Sequence, residues 1–118
     1  MGITSKAIIV KKIWDADKAV EVEFMIDSGA IYSLVPGKIL DEIGVKTHRA
    51  VYFSLADGTK ISRQVGDAYF EMEGEGAVAP VMYGEEGDSP LLGATTLEAM
   101  GLVLNPLKRE LYPMKMTL

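Results

Sequence analysis

The sequence predicts an all-β domain with two short helices, and three observations carry that expectation. Val20, Val22, Phe24 and Ile26 alternate with Glu21, Glu23 and Met25, the period of two that turns one face of a strand to the core. Residues 51–65 hold two alternating runs on either side of Asp57-Gly58, a pair favoured in tight hairpin turns. Helical spacing is confined to two places: Ile39, Leu40 and Ile43 ahead of Gly44, and Leu97 and Met100 ahead of Gly101.

Taken in order, residues 3–14 surround the apolar run Ala7-Ile8-Ile9-Val10 with lysines and read as a first strand. Asp15-Ala16-Asp17-Lys18 is the expected turn into the second strand, which delivers Asp27 at its end. Residues 31–35 continue as an extended segment to Pro36, which opens a helix of about two turns that Gly44 stops. In the 51–65 hairpin a two-residue type I′ turn is expected at Asp57-Gly58. Val51, Phe53 and Leu55 share a face on one arm and Ile61 and Val65 on the other, with Tyr52, Ser54, Lys60, Ser62 and Gln64 opposite. After Gly66 a separate strand is expected over 67–72, a turn at Glu73-Gly74-Glu75-Gly76, and a returning strand over 77–83. Residues 84–89 are polar and glycine-rich, a solvated loop whose carboxylates lack the regular ligand spacing of a calcium site. Pro90-Leu91-Leu92-Gly93-Ala94 then leads into a helix capped by Thr95 or Thr96. Leu102-Val103-Leu104 reads as a buried strand, 105–109 as a turn and 110–114 as a last strand.

At 118 residues the chain, 1–118, is one domain with room for a real core. Its net charge of −5 and scattered Lys and Arg exclude a nucleic-acid partner, which needs a basic stripe. With no Cys and one His, thiol nucleophiles, disulfides, zinc-cysteine sites and a serine triad are excluded, and neither metal nor cofactor is expected. His48 reads as a surface residue. No apolar run approaches the roughly 18 residues of a membrane span, and Lys6 stands where a myristoylation signal needs Ser or Thr. The expected setting is therefore cytoplasmic, without membrane. Carboxylates must carry any acid–base chemistry.

Asp27-Ser28-Gly29 aims a carboxylate out of a sheet at a strand end. Gly29 lets another chain or a ligand approach, and the Ser28 hydroxyl is expected to donate to a nearby carbonyl and lock the turn. Alone, such a triplet is an ordinary turn. Here Phe24-Met25-Ile26 precedes it, Ala30 follows, and Leu91-Leu92-Gly93 supplies a second apolar-apolar-Gly segment ahead of a short helix. With those features the chain resembles the retroviral-type, retropepsin-like aspartic proteases from about Val20 to Tyr112. The resemblance implies a closed β-barrel-like single lobe and an aspartic endopeptidase without cofactor that acts on peptide or protein substrates. It implies a catalytic Asp27, an active-site loop of Ser28, Gly29 and Ala30, a flap at Ala56, Asp57, Gly58 and Thr59, and a loop-crossing segment at Leu91, Leu92 and Gly93. Asn105 stands where relatives often have Asp before this Pro, a departure that touches a turn and not the carboxylate.

Peptide hydrolysis by water needs a base and an acid together, and one carboxylate cannot supply both. Asp57-Gly58-Thr59 has the wrong order and Asp88-Ser89-Pro90 lacks the glycine, so a dyad requires two chains. A homodimer is therefore expected, with apolar side-chain pockets lined by Ala30, Ile31, Leu55 and Leu92. The alternation of Tyr112, Met114, Met116 and Leu118 suggests a terminal strand that pairs across it. Two alternatives stand beside this reading: a non-catalytic peptide-binding or dimerisation module of the same fold, and a small β-barrel adaptor in which Asp27 merely satisfies backbone donors.

Overall fold

The computed structural model describes residues 4–12, 15–105, 107–108 and 110–114. The strands are β1 (Thr4–Lys12), β2 (Asp15–Ile26), β3 (Ser33–Pro36), β4 (Thr47–Ser54), β5 (Lys60–Met72), β6 (Glu75–Gly84), β7 (Leu91–Leu92), β8 (Leu102–Asn105) and β9 (Glu110–Pro113). The helices are α1 (Gly37–Ile43) and α2 (Ala94–Ala99). Strand order in the main sheet is β1-β2-β7-β3-β6-β5-β4, and β1 also pairs with β5 through Ile9↔Glu71, Val10↔Phe70 and Lys11↔Tyr69. That second pairing brings β1 round to β5, so six strands run in a closed circuit and β4 stands outside it on β5. The expected all-β, barrel-like lobe with two short helices is what forms. Lys11 closes the seam, ion-paired to Glu71 and lying over the Tyr69 ring.

Alternation along the strands fills the inside of the circuit. Ile8 and Val10 from β1, Val22, Phe24 and Ile26 from β2, Ala68 and Phe70 from β5, and Ala79 and Val81 from β6 are all buried. Phe24 and Phe70 meet with tilted rings, centroids 6.1 Å apart, an arrangement aromatic quadrupoles favour. Each such side chain removed from water contributes about 1.5–3 kcal/mol. Leu40 and Ile43 of α1 and Leu97 of α2 plug the ends of the core. Among the described residues no helix is long and apolar enough to cross a membrane.

Several local expectations are corrected. The turn into β2 does not occupy 15–18: Lys12 pairs with Asp15 and Lys11 with Ala19, so β2 starts at Asp15 and residues 16–18 are absorbed as an irregularity in the ladder. Residues 13 and 14, which the first expected strand included, lie outside the described residues. Pro36 ends β3 with an extended ψ of 129° and helix α1 begins one residue later at Gly37. β5 runs unbroken through Gly66, where a Cβ would sit 2.5 Å from the Lys46 carbonyl oxygen, so the glycine marks a close crossing and not a strand end. The type I′ turn lies at Glu73-Gly74, φ 54° and 81°, between the paired Met72 and Glu75. Asp57-Gly58 belongs instead to a three-residue loop. Leu55 N–H bonds the Thr59 carbonyl, Gly58 N–H returns to Leu55, and only Gly58 has positive φ, a type I turn closed by a bulge. β8 is half-buried where a buried strand was expected, β9 is mostly exposed, and the two form a separate two-stranded sheet.

Candidate active site

β2 carries Asp27 to the mouth of the circuit because β7 lies against it. Met25 N–H bonds the Pro90 carbonyl at 3.2 Å and Asp27 N–H bonds the Leu92 carbonyl at 2.9 Å. β7 is two residues long, parallel to β2 and antiparallel to β3, so it is wedged between the strand that delivers Asp27 and the strand that leaves it. The turn itself is short: Ala30 N–H returns to the Asp27 carbonyl at 3.1 Å, and Asp27 Oδ1 accepts the Gly29 N–H at 2.9 Å. Asp27, Ser28 and Gly29 are exposed and Ala30 is half-buried.

Behind the loop the chain packs without slack. A Cβ on Gly93 would lie 2.5 Å from the Tyr32 carbonyl oxygen, so only glycine passes here. Ala94 and Thr95 N–H groups, the first of α2, bond the carbonyls of Ala30 and Ile31 at 2.7 and 3.0 Å. Ser33 and Thr96, both fully buried, bond each other through their hydroxyls, and Ser33 Oγ also accepts the Gly93 N–H at 3.0 Å. Thr96 is thus a core hydroxyl rather than a helix cap, and neither Thr95 nor Thr96 caps α2, whose N-cap is Gly93. The structure therefore brings Asp27, Ser28, Gly29 and Ala30 together with Leu91, Leu92 and Gly93. Two expectations fail: the Ser28 hydroxyl makes no hydrogen bond among the described residues, and Leu92 is fully buried and lines no pocket. Leu92 offers the site its carbonyl, and its side chain belongs to the core.

The hairpin β4–β5 holds Ala56, Asp57, Gly58 and Thr59 at an exposed tip. The Asp57 carboxylate accepts the Thr59 N–H at 2.9 Å, and hydrogen bonds from Thr59 hold it below its ordinary pKa. This is the same two-residue reach that Asp27 makes to Gly29. What separates the two aspartates is therefore not the turn but its support. Near its base the hairpin meets the Asp27 loop, where Arg49 Nη2 donates to the Tyr32 hydroxyl at 3.2 Å and the guanidinium lies 5.7 Å from that ring centre. Ile31, 68% exposed, follows Ala30 on the same loop, and Tyr52 and Leu55 are exposed on the hairpin. On the other arm Arg63 binds Asp88 with two prongs, so the acidic 84–89 loop is not merely solvated: Asp88 is half-buried in an ion pair. His48 is exposed as expected and bonds Asp67. Sequence reasoning missed Ser33, Thr96, Tyr32, Arg49 and the Arg63–Asp88 pair. A hydroxyl inside the apolar run of β3 was the one available signal.

A groove of about 310 Å³ opens beside the loop, lined by Ser28, Ala94, Leu97, Leu104 and Met114. A larger cleft of about 460 Å³, between Lys6, Met72, Glu75 and Glu110, includes no residue of the Asp27 loop. Among the described residues no three or more His, Asp or Glu side chains are placed to hold a metal ion.

EIAV protease complexed with the inhibitor HBY-793 matches over 99% of this chain and 94% of its own, with TM-score 0.59 and 11% identity. The protease of simian foamy virus (mac) matches over 79% of this chain and 92% of its own, with TM-score 0.54 and 17% identity. The fold is that of the retropepsins. A retropepsin-like aspartic protease from Rickettsia conorii matches over 89% of each chain with TM-score 0.46 and 17% identity. No family model and no curated protein matches the chain. In this retropepsin fold β2 runs into the Asp-Ser-Gly loop, β7 is wedged between β2 and β3, and the hairpin is β4–β5.

Proposed function

We propose that the chain is an aspartic endopeptidase that works as a homodimer, one Asp27 from each subunit activating a water between them. The observation that carries this reading is the placement of Asp27. Its carboxylate is exposed, accepts a single N–H within its loop, and stands on a backbone pinned by Leu92, Gly93 and the start of α2 in a retropepsin fold. Two carboxylates brought together at a two-fold axis cannot both ionise easily, so they share a proton, and the pair holds an acid and a base at once. The ionised member takes a proton from water, and the protonated member donates to the peptide carbonyl oxygen. The bound peptide would run as an extended strand between the loop and the hairpin, with Ile31, Tyr32 and Leu55 against its side chains.

A second copy of the chain suits the exposed surfaces. The Asp27 loop is open to solvent in one chain, the groove beside it is largely apolar, and among the described residues β8 and β9 pair only with each other. An unpaired two-stranded edge next to an apolar groove is a surface that association covers. Of the terminal strand expected to pair across the dimer, Tyr112 lies in β9, and residues 115–118 lie outside the described residues.

The adaptor reading draws on one observation, since the Asp27-to-Gly29 bond is also what a plain turn makes. A peptide-library cleavage assay between about pH 4 and 6, with wild type and Asp27→Asn side by side, decides between them. Cleavage lost in the variant supports the peptidase; cleavage by neither, or by both equally, removes it.

A further inference from the structure

The hairpin and the loop that leads into β7 are joined by a two-pronged ion pair. Arg63 sits on β5 opposite Val51, its side chain 16% exposed. Its Nε donates to Asp88 Oδ2 at 3.0 Å and its Nη2 to Asp88 Oδ1 at 3.4 Å. Its Nη1 donates to the Ser62 carbonyl at 3.0 Å and lies 3.5 Å from Glu85 Oε2. Asp88 Oδ2 also accepts the Glu85 N–H at 2.8 Å, while the Asp88 N–H bonds the Glu85 carbonyl at 2.9 Å, so one carboxylate both shapes the loop and grips the hairpin. Two residues later the Pro90 carbonyl holds Met25, Leu91 pairs with both Met25 and Leu34, and the Leu92 carbonyl holds the Asp27 amide. The connection from hairpin stem to Asp27 is unbroken. A two-pronged charged pair of this kind fixes orientation as well as distance, which a single exposed bond such as Arg49 to Tyr32 does not.

We propose that Arg63 and Asp88 are positioning residues that lock the hairpin stem to the segment carrying Leu92 beneath Asp27, so that the movable part of the hairpin begins beyond the Val51–Arg63 pair, at residues 52–62. The lock is a property of the chain itself. Its consequence for catalysis rests on the peptidase reading: a hairpin whose pivot is tied to the Asp27 support closes in one register over a substrate.

Hydrogen exchange on the full chain, resolved by residue, tests the lock without any assay of cleavage. In wild type, fast exchange is expected to stop at Val51 and Arg63. In Asp88→Asn, which keeps the shape and loses the charge, it is expected to spread into 47–51 and 63–66, and the Met25 and Asp27 amides are expected to exchange about tenfold faster, as local opening becomes easier. Arg63→Lys, which keeps the charge but loses the fork, should fall between the two and supplies the readout if the Asp88 variant folds poorly. An unchanged boundary with unchanged Asp27 exchange would overturn the proposal. So would acceleration of the Met25 and Asp27 amides no greater than that of core amides in β1, whose exchange follows the loss of global stability, the signature of a merely structural pair. If the chain proved unable to cleave peptides, the peptidase reading would fall while these exchange results still decided the lock.

Discussion

Replacing Asp27 with Asn exchanges a carboxylate oxygen for an amide of nearly the same shape, so the turn survives and the proton chemistry does not. Peptide cleavage should vanish while thermal unfolding stays within a few degrees of wild type; Asp57→Asn, which alters a carboxylate in an equally tight turn at the hairpin tip, should keep activity. Loss of activity in both, or neither, would mean that Asp27 is not the reacting group. Gly93→Ala makes the complementary case, in which the chemistry is untouched and the backbone is not. Its new methyl would press on the Tyr32 carbonyl, which is backbone and yields little, and urea unfolding should show a loss of about 1–3 kcal/mol. Ser33→Ala leaves the buried Gly93 N–H and the Thr96 hydroxyl short of a partner and should cost about 1–3 kcal/mol. Asp27-Ser28-Gly29-Ala30 was legible in the sequence because strand alternation and turn chemistry are local. Ser33 and Thr96 were not, since two hydroxyls satisfy each other only after distant segments have packed.

At the level of elements, the hairpin shows how a correct pattern can yield a wrong turn. A two-residue loop at Asp57-Gly58 would set Phe53 opposite Ser62 and send the apolar residues of the two arms to different faces. Phe53 pairs with Ile61 and Val51 with Arg63, which demands an odd number of loop residues. The facing residues already required the three-residue loop, and Asp-Gly suits either turn. Arg63 and Asp88 were hidden for a different reason: a long cation on a hairpin face reads as solvated until the loop that meets it is in place. Their ion pair has a pH signature. Hydrogen bonding from Arg63 holds the Asp88 carboxyl below its ordinary pKa, so its stabilisation is present above that ordinary value and is lost as pH falls through the lowered one. Asp88→Asn should therefore be less stable than wild type at neutral pH by about 1–3 kcal/mol, with the gap closing in acid below the usual carboxylate range. Urea midpoints across a pH series measure this, and a gap that persisted unchanged in strong acid would assign the stabilisation elsewhere.

For the whole molecule, the proposed shared site makes activity a property of pairs. Specific activity should rise with protein concentration in step with dimer formation seen by sedimentation. Adding excess Asp27→Asn chain to a fixed amount of wild type should lower activity as mixed dimers form, whereas a monomeric enzyme would be indifferent to the addition. Rate against pH should be bell-shaped in acid, because one carboxylate of the pair must be charged and the other not. The closed circuit of strands and the separate β8–β9 sheet were only partly legible, since closure depends on β1 finding β5, a pairing no local pattern announces. The two residues of β7 carry a further consequence, for the order of events during synthesis. The amide of Asp27 is held by a carbonyl 65 residues further along the chain (92 − 27), and the strands on either side of that wedge cannot settle before it arrives. Contacts so distant along the chain form late. A chain that stopped short of residue 90 would then present Asp27 with nothing beneath it, and the support of its loop would appear only once residues 90–93 are in place.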